Sequence, residues 1–281
     1  MPRTIECFYP GDGFPAISVT GNQCSLDCKH CSKKYLEGMV PATRPEELLQ
    51  VAEALAERGA KGFLLSGGSD GDGRVRIADF APAIAEIKAG TDLLVNAHVG
   101  LSRREDLEKL VNAGVDAFST DLYGDEDTIR DVLGLRATPE DYLQVLRDLR
   151  SLGAPRVAPH VCVGIHGGKL GGELRALEML RSLRPDALIL ISLIPTKGTF
   201  YADVSPPDKD TIVSVVAKAR KLLPDTRLLL GCMRSKMDRS SEVDIVEAGV
   251  DGIVLPASTT VEKLRLRGYN IKKKATCCAM I

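Results

Sequence analysis

The chain contains no tryptophan, and its aromatic residues make up only 4% of the sequence. Base-stacking platforms for nucleic acid are built from such rings, so the composition argues against nucleic-acid binding. A net charge of −1 carries no signature of a polyanion partner. No run of about 20 apolar residues occurs, so no membrane span is expected. The opening Met1-Pro2-Arg3-Thr4-Ile5-Glu6 lacks the apolar core of a secretion signal, which makes a cytoplasmic protein the expectation. There is no P-loop, and no Gly-x-Gly-x-x-Gly follows the first strand. Internal repeats, low-complexity tracts and linkers are also missing. Residues 1–281 therefore read as one domain, with a core over about 15–268 and a short tail at 269–281.

What the chain does have is alternation. Short, branched, unalternating apolar runs predict strands buried on both faces at Ala16–Thr20, Gly62–Ser66, Asp92–Ala97, Val115–Asp121, Arg156–Val163, Ala187–Leu193, Thr226–Gly231 and Gly252–Leu255. Amphipathic helical patterns lie between them. The first, Pro45–Arg58, opens with proline and acidic residues and stops before Gly59. The others are Asp79–Lys88, Arg103–Ala113, Pro139–Leu152, Glu173–Leu183, Pro207–Leu223, Ser241–Ala248 (with Arg239-Ser240-Ser241 as its start) and Thr259–Arg267. This order predicts an α/β fold of the (β/α)8 TIM-barrel type; an open version with six strands is the alternative. The Lys272-Lys273-Lys274 run reads as a solvated stretch of tail.

In such a barrel the active site forms at the carboxyl ends of the strands. Polar residues and thiols collect there: Ser66-Gly67-Gly68-Ser69-Asp70, Asn96-Ala97-His98, Ser119-Thr120-Asp121, His160-Val161-Cys162, Ile194-Pro195-Thr196 and Cys232-Met233-Arg234. For His98, His160 and His166, a substrate contact and a hydrogen-bonded histidine of the barrel mouth are both open readings.

The chain has eight cysteines, which in this setting read as ligands or reactive thiols before disulfides. Three fall together as Cys24-Ser25-Leu26-Asp27-Cys28-Lys29-His30-Cys31, on the loop after the first predicted strand. A four-iron cluster needs four ligands, so three thiols alone leave one iron open. A zinc site with His30 as fourth ligand is the competing reading; it is weakened because His30 and Cys31 are adjacent and their side chains diverge.

The Cys-x3-Cys-x2-Cys spacing, with His30 before the last thiol and a glycine pair after strand two, resembles the signature of the radical S-adenosylmethionine (SAM) superfamily. The resemblance implies a [4Fe–4S] cluster on Cys24, Cys28 and Cys31. Its open iron would hold the amino and carboxylate groups of SAM, and one electron from a low-potential donor would generate a 5′-deoxyadenosyl radical. It also implies His30 beside the adenine. Gly67, Gly68, Ser69 and Asp70 would receive the methionine ammonium, although Ser-Asp replaces the family's usual glutamate. Ser119 and Asp121 would contact the ribose, with Pro195 along the adenine. Each of these could equally be a cap or turn residue.

The remaining thiols are less patterned. Cys162 reads as a small buried residue. The tail beyond Arg267 is long enough, at about 3.3 Å per residue, to return to the barrel mouth. Cys232, Cys277 and Cys278 would then be placed to hold a second iron–sulfur cluster, with Cys7 or substrate as fourth ligand. A terminal thiol pair with a redox or partner role is the rival. Over nearly its full length the chain resembles the biotin synthase-like group. The blocks Phe8-Tyr9-Pro10-Gly11, Pro159-His160, Ile194-Pro195-Thr196-Lys197-Gly198-Thr199, Gly231-Cys232-Met233-Arg234 and Cys277-Cys278-Ala279 look like a component of the two-protein lipoyl synthase. That likeness implies sulfur insertion into an octanoyl-lysine on a lipoyl-carrier protein, with a second radical SAM protein as partner. The chain departs from single-chain lipoyl synthases, because only Cys7 precedes Cys24. A rearrangement or cofactor-assembly step on the same barrel is the alternative chemistry, and a non-catalytic iron–sulfur or zinc protein the alternative class.

Overall fold

The computed structural model describes residues 3–235 and 241–280. Its centre is one eleven-stranded sheet in which every ladder is parallel. The strands are β1 (Thr4–Phe8), β2 (Ala16–Ser18), β3 (Val40–Pro41), β4 (Gly62–Ser66), β5 (Leu94–His98), β6 (Ala117–Asp121), β7 (Val157–Val163), β8 (Ala187–Ser192), β9 (Arg227–Leu230), β10 (Gly252–Val254) and β11 (Asn270–Lys274). They lie in the order β11-β1-β10-β9-β8-β7-β6-β5-β4-β2-β3. All eight predicted strands are present and in sequential order, as β2 and β4 to β10.

The helices are α1 (Pro45–Glu57), α2 (Ala81–Gly90), α3 (Arg104–Asn112), α4 (Glu126–Thr128), α5 (Pro139–Ser151), α6 (Glu173–Leu183), α7 (Lys209–Leu222), α8 (Glu242–Ala248) and α9 (Ser258–Leu266). The local signals behave as the residues dictate. Pro45 opens α1, Thr138 and Asp141 form a reciprocal capping box on α5, and Asp208 caps α7 through Thr211 N–H. Of the expected start of α8, Arg239 and Ser240 lie outside the described residues.

Three strands were not expected. β1 pairs with β10 on one side and β11 on the other, and β3 extends the far edge beyond β2. Among the described residues no ladder joins the β1/β11 side to the β2/β3 side, so the sheet is a curled half-barrel. The Lys272-Lys273-Lys274 run is thereby corrected from solvated tail to edge strand. Its ends point Lys272 and Lys274 toward Glu6, which also pairs with Arg227. Polar side chains hid this strand: an edge strand tolerates lysine, and lysine protects such edges from further pairing.

Register sorts each strand into two faces. The outward set, such as Val95, Phe118, Val161, Leu188 and Ile253, packs into the main core beneath the helices. The inward set forms a separate cluster of Phe8, Ala117, Ala158, Ala187, Ile189, Leu229 and Val254. Small residues leave room at its centre, and the C-terminal turn Cys278–Met280 fills it. That turn touches β5, β6, β8 and β10, which shows how far the sheet curls around it. Cys7 belongs to the outward set and is fully buried there. It faces away from the interior and so is excluded as a ligand with Cys277.

Phe8 is 1% exposed and supports the returning tail. Phe8→Ala is expected to cost about 3–5 kcal/mol of folding stability, measured by denaturant unfolding, and to expose the tail to proteolysis. A loss below about 1 kcal/mol with a protected tail would contradict this packing.

Candidate functional site

The segment from Thr20 to Lys33 leaves β2 without regular structure, so its shape is set by hydrogen bonds to its neighbours. Ser18 Oγ donates to Gly21 O (2.7 Å), and Gln23 N–H to Thr20 O (3.1 Å). Ser25 N–H reaches Ser69 O at 2.8 Å, and Lys29 N–H reaches Val132 O at 2.9 Å. Tyr201 N–H closes the far side on Lys29 O at 3.1 Å. Ser32 and Lys33 take positive φ, 41° and 65°, which turns the chain sharply after Cys31.

The loop after β4 presses against this segment. Gly68 N–H donates to Thr20 Oγ1 at 2.7 Å, and Ser69 N–H to Cys24 Sγ at 3.2 Å. A Cβ on Gly68 would lie 1.9 Å from Gln23 O and 2.6 Å from Cys24 Cβ. Only glycine permits this approach of two backbones.

Cys24, Cys28 and Cys31 line one cavity of about 240 Å³. Gly67, Gly68 and Ser69 form one wall, and His30, His98 and Asp121 also face it. Tyr123, Tyr142, Leu133 and Leu135 make an apolar wall. Leu133 O accepts from Cys28 Sγ at 3.7 Å. Leu133 and Val132 belong to a π-helical turn, Ile129–Leu133, which follows α4. Sequence periodicity missed this turn, because three helical residues followed by a wide turn carry no repeating pattern.

The site brings three thiols and Asp121 onto one cavity, with Lys33 and His98 also on its wall. Burial, reinforced by Cys31 and Cys24, pushes the Cys28 thiol up to about 12. Burial also raises Cys31 and lowers His30. Asp121 behaves oppositely: burial would raise it, but His98, with Nε2 3.8 Å from Oδ1, holds it down at about 2. Burial pulls His98 down while Asp121 pulls it above its ordinary value, and the carboxylate wins. His160 meets His98 edge-on at 5.6 Å between ring centres. Burial and that neighbour bring His160 down to about 4. The mouth thus sets His98 against a carboxylate, Asp121, that favours its protonation, and keeps His160 neutral.

Other expected residues are placed differently. Asp70 Oδ1 accepts from Asp72 and Arg74 N–H at 2.9 and 3.0 Å, a turn role, and Asp70 faces a neighbouring groove with Gln23 and Ser25. Ser119 is 1% exposed and donates to Asn96 Oδ1 at 3.0 Å, deeper than the cavity wall. Pro195 is half-buried in the loop after β8. That loop reaches the cysteine segment through Tyr35 Oη and Thr196 Oγ1, 3.2 Å apart. Cys162 is half-buried on β7, opposite Ile191, and packs against the main core as a small residue.

The tail brings Cys277 to Asn96, whose Nδ2 lies 3.8 Å from Sγ. A hydrogen bond from Cys278 outweighs burial and brings Cys277 down to about 7. Cys232 is exposed, and close enough to Cys277 for the two thiols to interact electrostatically. Cys278 is buried in the inner cluster. Asn96 gave no signal of its own in the sequence beyond its place at a strand end.

No set of three or more His, Cys, Asp or Glu among the described residues is arranged around a single metal ion. A cluster makes a different demand, because its ligands bind separate corners instead of one point. The residues present fit such a group. Three thiols share one cavity, and in the same segment His30 Nδ1 and Ser32 Oγ are buried without hydrogen-bond partners. The cationic iron core of a cluster would favour the thiolate form of the three cysteines that hold it.

A model of the radical SAM superfamily matches residues 18–172, or 155 of the 281 residues. The chain belongs to the radical SAM superfamily. Membership implies a [4Fe–4S] cluster and SAM. The biotin synthase of Allorhizobium ampelinum is 25% identical over 252 residues, covering 84% of this chain and 74% of that protein. Among solved structures, HydG, a maturase of the [FeFe]-hydrogenase, superposes with a TM-score of 0.66 at 18% identity. It covers 92% of this chain, while this chain spans only 58% of HydG. Methylornithine synthase (PylB) gives 0.63 at 15% identity, covering 97% of this chain and 84% of its own. At these identities the structural likenesses speak for the fold alone.

In this radical SAM protein, Gly68→Ala must displace backbone at Cys24. Cluster retention is expected to weaken by roughly tenfold to a hundredfold, the scale for losing groups that orient metal ligands. Iron per chain after anaerobic reconstitution and desalting measures it, with circular dichroism to check folding. Wild-type retention in the folded variant would contradict the close approach.

Proposed function

We propose that the chain is a sulfur-inserting radical SAM enzyme, acting on a protein-bound octanoyl chain as one component of a two-protein lipoyl synthase. The observation that carries the sulfur reading is the return of the tail, which sets Cys277 against Asn96 and close to Cys232. Cys232, Cys277 and Cys278 are the proposed holders of an auxiliary iron–sulfur cluster. The likeness to biotin synthases supports the same class of chemistry.

Cys24, Cys28 and Cys31 would hold the [4Fe–4S] cluster. With SAM bound, that group supplies hydrogen-atom abstraction from an unactivated C–H. The chain's own part is positioning. The Gly67–Ser69 backbone is offered at the cavity wall to the cofactor's ammonium. His30 and Asp121 line the remainder of its site. The Tyr123–Tyr142 pair, with ring centres 5.0 Å apart, and Leu133 and Leu135 exclude water from it. The proposed partners are a lipoyl-carrier protein bearing octanoyl-lysine, a second radical SAM protein and a low-potential electron donor.

A second reading is a rearrangement or cofactor-assembly reaction. One observation favours it. The interior beyond the cavity is polar, with Asn96, His98, Ser119, Asp121 and His160 on adjoining strands, and the apolar base below is filled by the tail. A polar substrate suits that belt better than an alkyl chain does.

Anaerobically reconstituted protein, given SAM, reductant, an octanoyl-lysine peptide and the candidate partner protein, is expected to yield 5′-deoxyadenosine and a peptide heavier by sulfur. A variant with Cys24, Cys28 and Cys31 all replaced by Ala should keep an auxiliary cluster of about four irons or fewer and form no 5′-deoxyadenosine. Cleavage of SAM without sulfur gain, and no iron in the triple variant, would favour the second reading. An intact cluster that never cleaves SAM would overturn both.

A further inference from the structure

Carboxylates inside this fold are met by several donors each. Glu173 accepts from Gly164 and Gly171 N–H, at 2.7 and 2.6 Å. Glu242 takes Arg234, Ala257 N–H and Thr260 Oγ1. The half-buried Asp116 takes Lys88 and Val95 N–H. Asp121 is different. It faces the cofactor cavity, and among the described residues no backbone N–H or hydroxyl donates to its carboxylate. Its ion partner is His98, with Nε2 3.8 Å from Oδ1. A carboxylate has about four acceptor sites, and leaving them empty away from bulk water is costly. Asp121 is therefore suited to a ligand that brings hydrogen-bond donors to this point of the cavity. Ser119, expected to share that task, donates to Asn96 instead.

His98 is held from several sides. It ends β5, where the ladder sets it beside Ser119, and Asp121 lies two residues further along the same face of β6. Ser66 Oγ donates to His98 O at 3.4 Å, which ties His98 to the strand that leads into the Gly67-Gly68 loop. His160, whose Nδ1 lies 3.1 Å from Ala158 O, meets the His98 ring edge-on. Burial works against charge on both His98 and Asp121, yet each favours the charged form of the other. His98 is thus placed to choose the direction in which the Asp121 carboxylate points.

We propose that His98 is a positioning residue for SAM, holding Asp121 so that its carboxylate accepts from the neighbouring hydroxyls of the cofactor's ribose. This rests on the radical SAM assignment and not on the lipoyl reading. Ribose offers two adjacent hydroxyl donors, which one carboxylate can accept together. His98 takes no part in the chemistry and acts through Asp121. By fixing one arrangement of the carboxylate before the cofactor arrives, it lowers the ordering cost of binding.

A double-mutant cycle in reconstituted full-length protein tests this. Anaerobic calorimetry measures SAM affinity for wild type, His98→Ala, Asp121→Asn and the double variant. L-Methionine, which has no ribose, is the control ligand, and iron per chain with circular dichroism checks each sample. His98→Ala should weaken SAM binding about tenfold, the scale of a lost hydrogen bond to a charged group, and leave methionine binding unchanged. In the Asp121→Asn background the same substitution should cost less than about twofold. His98→Gln keeps a donor without the charge and should fall between wild type and His98→Ala; it runs the same cycle if the alanine variant loses its cluster. Wild-type SAM affinity in the folded His98 variants would overturn the proposal. So would equal losses with and without the Asp121 carboxylate, which would give His98 a contact of its own. A parallel loss of methionine binding would overturn it too, by showing a general disturbance of the site. Wild-type protein with an intact cluster that binds neither SAM nor methionine would strike the radical SAM reading, and the proposal with it.

Discussion

The mouth of this protein depends on how closely Gly68 approaches Gln23 and Cys24. With no Cβ on Gly68, the loop after β4 lies directly on the cysteine segment and gives its Ser69 N–H to Cys24 Sγ. That single approach brings the thiols and the Gly67-Gly68 backbone onto one cavity. It explains how an irregular segment, with no helix or strand of its own, presents three thiols in a fixed arrangement. The π-turn at Ile129–Leu133 and the Tyr201 contact brace the other sides. A cofactor-binding segment supported on three sides is pre-organised, so ligand placement does not have to be established when the cluster arrives.

Below the mouth the interior divides into two zones. A polar belt of Asn96, His98, Ser119, Asp121 and His160 lies under the cavity, and an apolar base of small residues lies under the belt. The base is closed by the chain's own C-terminal turn, which leaves Cys277 at the boundary between the zones. Buried polar groups are costly unless they are paired. Here they pair with one another: His98 with Asp121, Ser119 with Asn96, and Asn96 with Cys277. The belt is therefore stable without a substrate and still presents donors and acceptors toward the cavity.

Much of this was legible in the residues. Buried parallel strands have a strong apolar signature, and all eight of them were placed correctly, as was the collection of thiols and polar residues at one end. The triad spacing pointed to the superfamily that the family match supports. What the residues concealed follows from the same physics. β11 is an edge strand and carries lysines, so it looked like solvent-exposed tail. β1 is short and mixes Glu6 with Ile5 and Phe8: Phe8 joins the apolar base, and Glu6 pairs with Arg227 of β9. Closure into a ring depends on pairing between distant strands, which local pattern does not encode, and β1 took the place beside β10 instead. Asp70 was ambiguous because a loop aspartate can serve a ligand or its own backbone; in this fold it serves the backbone. Asn96 and His160 became significant only when register set them on one face.

The central claim is that the Cys24–Cys28–Cys31 segment holds a cluster with one iron left open, and that this iron takes the amino group of SAM beside Gly68. Electron–nuclear double resonance on the reduced, anaerobically reconstituted protein tests this directly, using SAM labelled with a heavy nitrogen isotope at its amino group. The account predicts a nitrogen hyperfine coupling to the reduced cluster that changes with the isotope. A fully reduced cluster that shows no such coupling with saturating SAM would contradict it.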